Sequence, residues 1–341
     1  MPGPTPPTPA AIDVVTQVVY YLSLSIPLGI GLAISALAAP ESQGGPVARQ
    51  VRSLGVPAAI VVLTGVVLQV RAAAHLSAMT LAQLFVLTLA ACGLVAMRWN
   101  QSRTLPLGVA AAAVVAAVIP EIPMKFTNLT RLVSSVLTAV HVLGAITWVG
   151  GLVVLAATGI AGRRNTIRDH EGVAADWARI WERFSLVATI AVGALVVSGS
   201  WLAWSHVGTL GQLLTTAYGR ALAVKLVLVV LLLCAGAYNV RVLLPRIRAA
   251  QSDGDTRGLF RLAAQHFPAV VFAEALVAIC VLTVVPFLRG SARAQAGSSA
   301  AVSFDLGTFG VGVVLIAAVA GAMWAGTRRP VKPLVPSTPA P

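Results

Sequence analysis

Continuously apolar stretches alternate with short polar segments along most of the chain. Nine of these stretches reach about the 20 residues that an α-helix needs to cross a bilayer. They are unbroken, whereas the strands of a membrane β-barrel alternate apolar and polar residues over about ten positions. The predicted spans are 13–39, 54–71, 79–97, 104–120, 132–160, 184–206, 219–243, 267–288 and 303–326. The pattern predicts an all-α, polytopic integral membrane helical bundle with about nine transmembrane helices.

The composition supports a membrane protein and argues against a nucleic-acid-binding protein. Hydrophobic residues make up 57% and charged residues 10% of the chain, against about 25% charged residues in soluble proteins. The net charge of +13 comes from basic residues in short loops between spans, where they determine topology. We therefore expect the lipid bilayer as a partner and no nucleic acid.

The distribution of Lys and Arg predicts the orientation, because positively charged loops stay on the cytoplasmic side. Loops one, three, five and seven and the C-terminal tail hold 17 basic residues, and the opposite side holds 6. The N-terminus is therefore predicted outside and the C-terminus in the cytoplasm, which requires an odd number of spans. Residues 1–12, which lack the positive segment of a signal peptide, and residues 327–341 are predicted to be disordered tails.

The ionisable residues His141, Lys225 and Glu274 lie well inside predicted spans, at least six residues from either end. Such a residue costs at least about 2.5 kcal/mol in hydrocarbon, so it marks a candidate functional site. His141 shares a helical stripe with Gly144, Trp148 and Gly151, and small residues beside a polar one indicate close helix packing. A structural, hydrogen-bonding histidine is the alternative interpretation.

A second polar stripe is predicted on the seventh span. Tyr218, Lys225 and Asn239 recur at helical intervals, although the Lys225 side chain can instead extend to the membrane surface. Glu274 in the eighth span has too short a side chain to reach water from near the middle of the bilayer, so it needs a partner or a proton. The topology places His141 and Lys225 in the outer half.

Several metal-binding residue types lie at the predicted outer face. His75 and Met79 are four residues apart, so a helix would present both on one face. Glu121 and Met124 lie between spans four and five, and His206 lies at the end of span six. Imidazole and thioether ligands favour Cu(I), so these residues are candidate copper ligands.

Two other groups of residues are predicted to be structural. The cytoplasmic loops 163–183 and 241–266 mix acidic residues with arginines and are expected to be solvated connectors. Cys92, Cys234 and Cys280 lie singly in apolar spans without metal-binding spacing, and they are expected to be small core residues.

Four segments of the central and C-terminal region together resemble one family. They are HVLGAITWVGG at 141–151, RFSLVATIAVGALVVSGSWLA at 183–203, TAYGRALAVKLVLVVLLLCAGAYNVRVLLP at 216–245 and FAEALVAICVLTVVP at 272–286. In order and spacing they resemble the CopD family of copper-resistance membrane proteins, over roughly residues 131–290. The predicted organisation is then an N-terminal four-helix membrane region at 13–130, a CopD-like four-helix domain at 131–290 and an additional helix at 303–326.

The resemblance implies copper handling in the bacterial cytoplasmic membrane, with movement of copper from the outer compartment towards the cytoplasm. The positions that match the family pattern are His141, Trp148, Gly150, Gly151, Arg183, Phe184, Gly199, Tyr218, Gly219, Lys225, Asn239 and Glu274. His141 is the best candidate ligand among them, while Tyr218, Lys225 and Glu274 are expected to set electrostatics or helix contacts. An extracytoplasmic copper-binding protein is a candidate partner.

The leading hypothesis is a copper transporter that is not an enzyme and does not hydrolyse ATP, since the sequence lacks a Walker A pattern. Copper would be captured by some of the outer-face residues, pass to His141 and then approach Glu274. One alternative is a copper-delivery or assembly partner of a membrane oxidase. A second is a haem-binding membrane redox protein with His141 as an axial ligand, although His206 and His266 are predicted on opposite sides.

Overall fold

Eight long apolar helices form the body of the computed structural model. The structure describes residues 6–38, 45–73, 75–102, 104–122, 129–162, 170–254, 258, 262, 266–298 and 314. The helices long and apolar enough to cross a membrane are Ala11–Leu37, Pro46–Ala72, Ala78–Ala96, Thr104–Glu121, Leu132–Gly162, Val173–His206, Ala217–Ala250 and Pro268–Phe287. They correspond to the first eight predicted spans, and the described part of the chain contains no strand.

The chain divides into two compact units, which are Met1–Ser303 and Phe304–Pro341. The ninth predicted span, 303–326, and the tail 327–341 lie outside the described residues apart from Val314. At the other end, Pro6–Ala10 has no regular structure and the first helix begins at Ala11. The predicted N-terminal tail therefore extends two residues too far.

The described residues of the first unit form twelve α-helices. They are α1 (Ala11–Leu32), α2 (Pro46–Ser53), α3 (Gly55–Ala72), α4 (Ala78–Ala96), α5 (Thr104–Val118), α6 (Leu129–Gly162), α7 (His170–His206), α8 (Gln212–Thr215), α9 (Ala217–Tyr238), α10 (Leu244–Ser252), α11 (Phe267–Val284) and α12 (Ala292–Gln295). α1 continues into a π-helical turn at Ala33–Leu37, and a second π-helical turn, Asn239–Leu243, joins α9 to α10.

The long helix α6 occupies the centre of the bundle and packs against α1, α7 and α11. Glycines make each of these contacts close. Gly150 meets α1, Gly144 and Gly151 meet α7, and Gly159 meets Pro268 at the start of α11. Small residues let helix backbones approach in lipid, where the hydrophobic effect does not drive helices together.

The closest of these crossings joins α1 to α6. A Cβ atom on Gly150 would overlap the backbone carbonyl of Ser25, and one on Gly29 would overlap the carbonyl of Gly150. Both clashes are with backbone atoms, so a side-chain rotation cannot relieve them. The crossing therefore requires glycine at both positions.

Arg183 and Phe184 tie α7 to the rest of the bundle. The Arg183 guanidinium donates to the carbonyl oxygens at the end of the first span, those of Ala36, Leu37 and Ala38, at 3.0 to 3.3 Å. A cation at a helix C-terminus satisfies carbonyls that have no partner within the helix. The Phe184 ring lies directly on Gly151 of α6.

Two structural predictions are wrong. Residues 170–183, predicted as part of a solvated connector, are the first turns of α7, and Trp177 and Trp181 are buried there with their rings stacked at 4.9 Å. Cys92, Cys234 and Cys280 are exposed on helix surfaces and are not core residues. Whether a helix position faces the protein or its surroundings depends on how the helices pack, which local composition does not reveal.

A buried polar network holds the N-terminal helices together. The Gln83 side-chain amide on α4 donates to the Tyr20 hydroxyl on α1 and to the Ala116 carbonyl on α5, each at 2.7 Å. Gln83 is 7% exposed, and a buried amide in lipid must satisfy its hydrogen bonds within the protein. This network fixes the relative positions of α1, α4 and α5.

Replacing Gly150 by Ala should destabilise the bundle by about 1–3 kcal/mol, the usual cost of overpacking a close contact. The measurement is the free energy of unfolding of the purified protein in detergent. Gly108→Ala is the matched control, because a Cβ on Gly108 would meet nothing within 4 Å. Equal stability of the two variants would contradict the assigned α1–α6 crossing.

Candidate functional site

His141 is held by a hydroxyl on the neighbouring helix. Its Nδ1 lies 3.1 Å from Ser198 Oγ on α7, and the Ser198 hydroxyl itself donates to the Ala194 carbonyl at 2.6 Å. Because the hydroxyl proton is engaged with that carbonyl, Ser198 accepts from His141, and Nδ1 carries the imidazole proton. The lone pair on Nε2 is then not used by this hydrogen bond and can bind a metal ion or a proton.

Small residues on α7 and α6 make room for this imidazole. A Cβ atom on Gly199 would lie 3.1 Å from His141 Cε1, closer than an ordinary packing contact. One turn away, Gly144 faces the Ala191 carbonyl and Leu195. The predicted stripe of His141, Gly144 and Gly151 on α6 therefore faces α7, while Trp148 is buried in the main core.

Lys225 is the charged residue closest in level to this site. It is half-buried on α9 and close enough to His141 for an electrostatic interaction. Lys225 lies eight residues after the start of α9, and Ser198 lies eight residues before the end of α7. Each residue is therefore about 12 Å from the same end of the bundle. Among the described residues, Lys225 forms no ion pair.

Glu274 forms a second polar site with Asn239. The Asn239 Nδ2 donates to Glu274 Oε1 at 2.7 Å, and both residues are 7% exposed. Asn239 begins the π-helical turn after α9, and its Oδ1 is buried without a hydrogen-bond partner among the described residues. π-helical turns are frequent at functional sites. Glu274 has no ion-pair partner in the described part of the chain, so its carboxylate requires a proton or a cation.

The two sites lie at different levels of the bundle. Gly159 of α6 meets Pro268 of α11, and the two helices are antiparallel in the predicted topology. Counting from that contact places Glu274 level with residue 153, twelve residues from His141, or about 18 Å along the helix axis. Glu274 thus lies closer than His141 to the predicted cytoplasmic end.

The structure pairs two of the predicted outer-face residues. The His206 ring stacks on the Tyr218 ring with centroids 5.7 Å apart and planes within 9°. His206 Nδ1 also lies 2.8 Å from the Leu202 carbonyl. Glu121 is half-buried in a short 3-10 turn, and Met124 lies outside the described residues.

The prediction that His75 and Met79 share a helix face is wrong. α4 begins at Ala78, after Ser77, whose hydroxyl accepts from the Thr80 backbone N–H and so caps the helix. His75 precedes the cap and is exposed, while Met79 is on the helix and half-buried. The serine cap is a helix-start signal in the sequence that overrides the four-residue spacing.

Within the described residues, no three His, Cys, Asp or Glu side chains are grouped so as to hold a metal ion. The described residues therefore offer no ready-made cluster, and His141 is the candidate ligand that a hydroxyl of a neighbouring helix holds in place. Sequence analysis did not identify Ser198 as the residue that orients this imidazole. The Ser198–Gly199 pair is the feature of the sequence that indicates such a role, because a small residue next to a hydroxyl is typical of a close polar contact between helices.

The comparisons with known proteins agree with the sequence-based resemblance. No curated protein and no solved structure gives a significant match to the chain. Residues 178–288 match the family model of CopD, copper resistance protein D. The matched segment contains Ser198, Lys225, Asn239 and Glu274, while the helix that carries His141 precedes it. The chain is thus a multi-pass membrane protein with a segment, residues 178–288, that is similar to the copper-resistance family CopD.

Proposed function

We propose that this protein moves copper ions across the bacterial cytoplasmic membrane, from the outer compartment inwards and without ATP hydrolysis. The observation that carries the proposal is His141, an imidazole held by Ser198 through a hydrogen bond that does not use its Nε2 lone pair. It lies on a helix packed against α7 and α11, and the copper-resistance match includes most of α7 and all of α11. An ordered imidazole nitrogen is a common ligand for copper.

His141 serves as the uptake site in this proposal. A transport site must bind its ion and also release it, so sparse ligands suit it better than a closed metal cage. The nearby Lys225 ammonium repels a bound cation, which weakens copper binding at His141 further. Copper reaches His141 from the outer-face candidates, which are His75, Met79, Glu121, Met124 and His206.

Glu274 serves as the second site, towards the cytoplasm. Its buried carboxyl lacks a positive partner among the described residues and accepts one hydrogen bond, from Asn239. A passing cation would neutralise the carboxylate, and a proton would do so when the cation leaves. The two sites are about 18 Å apart along the helices, so one copper ion cannot contact both of them at the same time. An extracytoplasmic copper-binding protein delivers the ion to the outer side.

His141→Ala should abolish most copper accumulation by cells that depend on this protein, because it removes the metal-binding nitrogen. Ser198→Ala should lower the uptake rate on the order of 10-fold, the usual effect of losing a residue that orients a ligand. The measurement is cellular copper content at equal amounts of protein in the membrane.

Thr189→Ala is the control for Ser198→Ala. Its hydroxyl also donates to a backbone carbonyl of α7, that of Ser185 at 2.7 Å. Wild-type uptake by His141→Ala, or equal effects of the two hydroxyl deletions, would remove His141 from the proposed route.

Lys225→Gln should increase the amount of copper bound by the purified protein, because it removes the positive charge beside His141. Equilibrium dialysis against copper, in the Cu(I) and Cu(II) states, measures this. Arg220→Gln removes a positive charge from an exposed position on the same helix and should leave binding unchanged. If Lys225→Gln binds no more copper than wild type, the ammonium does not act on the site.

Glu274→Gln should lower the copper flux into proteoliposomes while leaving the protein folded. The glutamine oxygen can still accept from Asn239, so the hydrogen bond is kept and only the negative charge is lost. Glu182→Gln, which alters an exposed ion pair with Arg248, is the control. An unchanged flux in Glu274→Gln would show that the carboxyl has only a structural role. Flux by the wild-type protein also separates transport from copper delivery to an oxidase.

A further inference from the structure

A cavity of about 330 Å³ lies in the N-terminal region, outside the segment that matches the copper-resistance family. It opens between α2, the start of α3 and the end of α4. Three arginines line it, Arg49, Arg52 and Arg98, together with the apolar side chains of Val56 and Met97. The described residues that line it include no Asp or Glu. The cavity is thus cationic with one apolar wall.

Arg52 is the most informative of these residues. It is 8% exposed, and its guanidinium nitrogen Nη1 is buried without a hydrogen-bond partner among the described residues. Burying a charge without a partner is costly. A second and a third arginine at the same cavity add positive charge and do not compensate it. Among the described residues, Nη1 of Arg52 therefore lacks an acceptor, and an anion bound in the cavity would supply one.

The position of the cavity relative to the membrane identifies the anion. Arg49 and Arg52 precede α3 and Arg98 follows α4, so the cavity lies at one end of two spanning helices, on the predicted cytoplasmic side. Trp99, next to Arg98, is 74% exposed, and exposed tryptophans are enriched at the membrane–water interface. Basic pockets at that level on the cytoplasmic side bind lipid headgroups.

We propose that Arg49, Arg52 and Arg98 bind the phosphate headgroup of an anionic phospholipid of the cytoplasmic leaflet. The headgroup phosphate accepts hydrogen bonds from the guanidinium groups, including the buried Nη1 of Arg52. The apolar wall formed by Val56 and Met97 contacts the glycerol and the start of the acyl chains. The bound lipid joins α2 and α3 to the end of α4 and stabilises the N-terminal region. This role does not depend on copper transport.

The test uses the purified full chain in an uncharged detergent. Native mass spectrometry and thermal unfolding are followed as phosphatidylglycerol, phosphatidylcholine or inorganic phosphate is added at equal concentrations. Phosphatidylglycerol should bind in defined stoichiometry and raise the unfolding temperature more than phosphatidylcholine does. Equal effects of the two lipids would overturn the anionic-lipid site. An equal effect of inorganic phosphate would overturn a lipid as the occupant.

Variants locate the site. Arg49→Gln with Arg98→Gln alters two residues at exposed positions and should weaken phosphatidylglycerol binding on the order of 30-fold, given the contribution of each basic residue near an anionic lipid surface. Arg246→Gln is the control, because Arg246 is exposed on the same predicted face but does not line the cavity. Unchanged binding in the double variant, or an equal loss in the control, would overturn the proposal. The double variant's copper uptake should match that of wild type.

Discussion

The close approach of α6 to its neighbours is the constraint on which the rest of the structure depends. In lipid, apolar surfaces gain little by facing each other, so helices associate where small residues allow close backbone contact. α6 has such contacts on three sides, through Gly150 to α1, Gly144 and Gly151 to α7, and Gly159 to α11. His141 lies on the same helix, so these contacts also determine where its imidazole is held. A shift of α6 by one turn would separate His141 from Ser198.

Two buried amide side chains inside the bundle are each hydrogen-bonded to a specific partner from another helix. Gln83 bonds to Tyr20 and to a backbone carbonyl, and Asn239 bonds to Glu274. Such pairing is expected because the bilayer core offers no water to replace a missing partner. Against this background, the groups that lack a partner stand out. Among the described residues they include Nη1 of Arg52, to which a lipid headgroup is assigned, and the carboxylate of Glu274, which has no ion-pair partner and to which a cation is assigned.

The sequence predicts the spans well and the contacts between them poorly. The eight described spans follow from continuous apolar runs, a signal that each segment carries by itself. The partner of His141 lies 57 residues away, and nothing local to either residue indicates the pairing. Asn239 and Glu274 could each be recognised as unusual in an apolar helix, yet only packing shows that they meet. The His75–Met79 spacing failed for a different reason, because Ser77 starts the helix between them.

The α1–α6 crossing also bears on how the chain assembles. Gly29 and Gly150 are 121 residues apart in the sequence, so α1 enters the membrane during synthesis well before its closest neighbour exists. Until then, α1 can pack against α3, α4 and α5, with which it also makes contacts, and its Ser25–Gly29 face remains open to lipid. When α6 packs against the Ser25–Gly29 face of α1, it brings His141 into the bundle. The copper-resistance segment that follows then folds onto a surface that the N-terminal helices have already built.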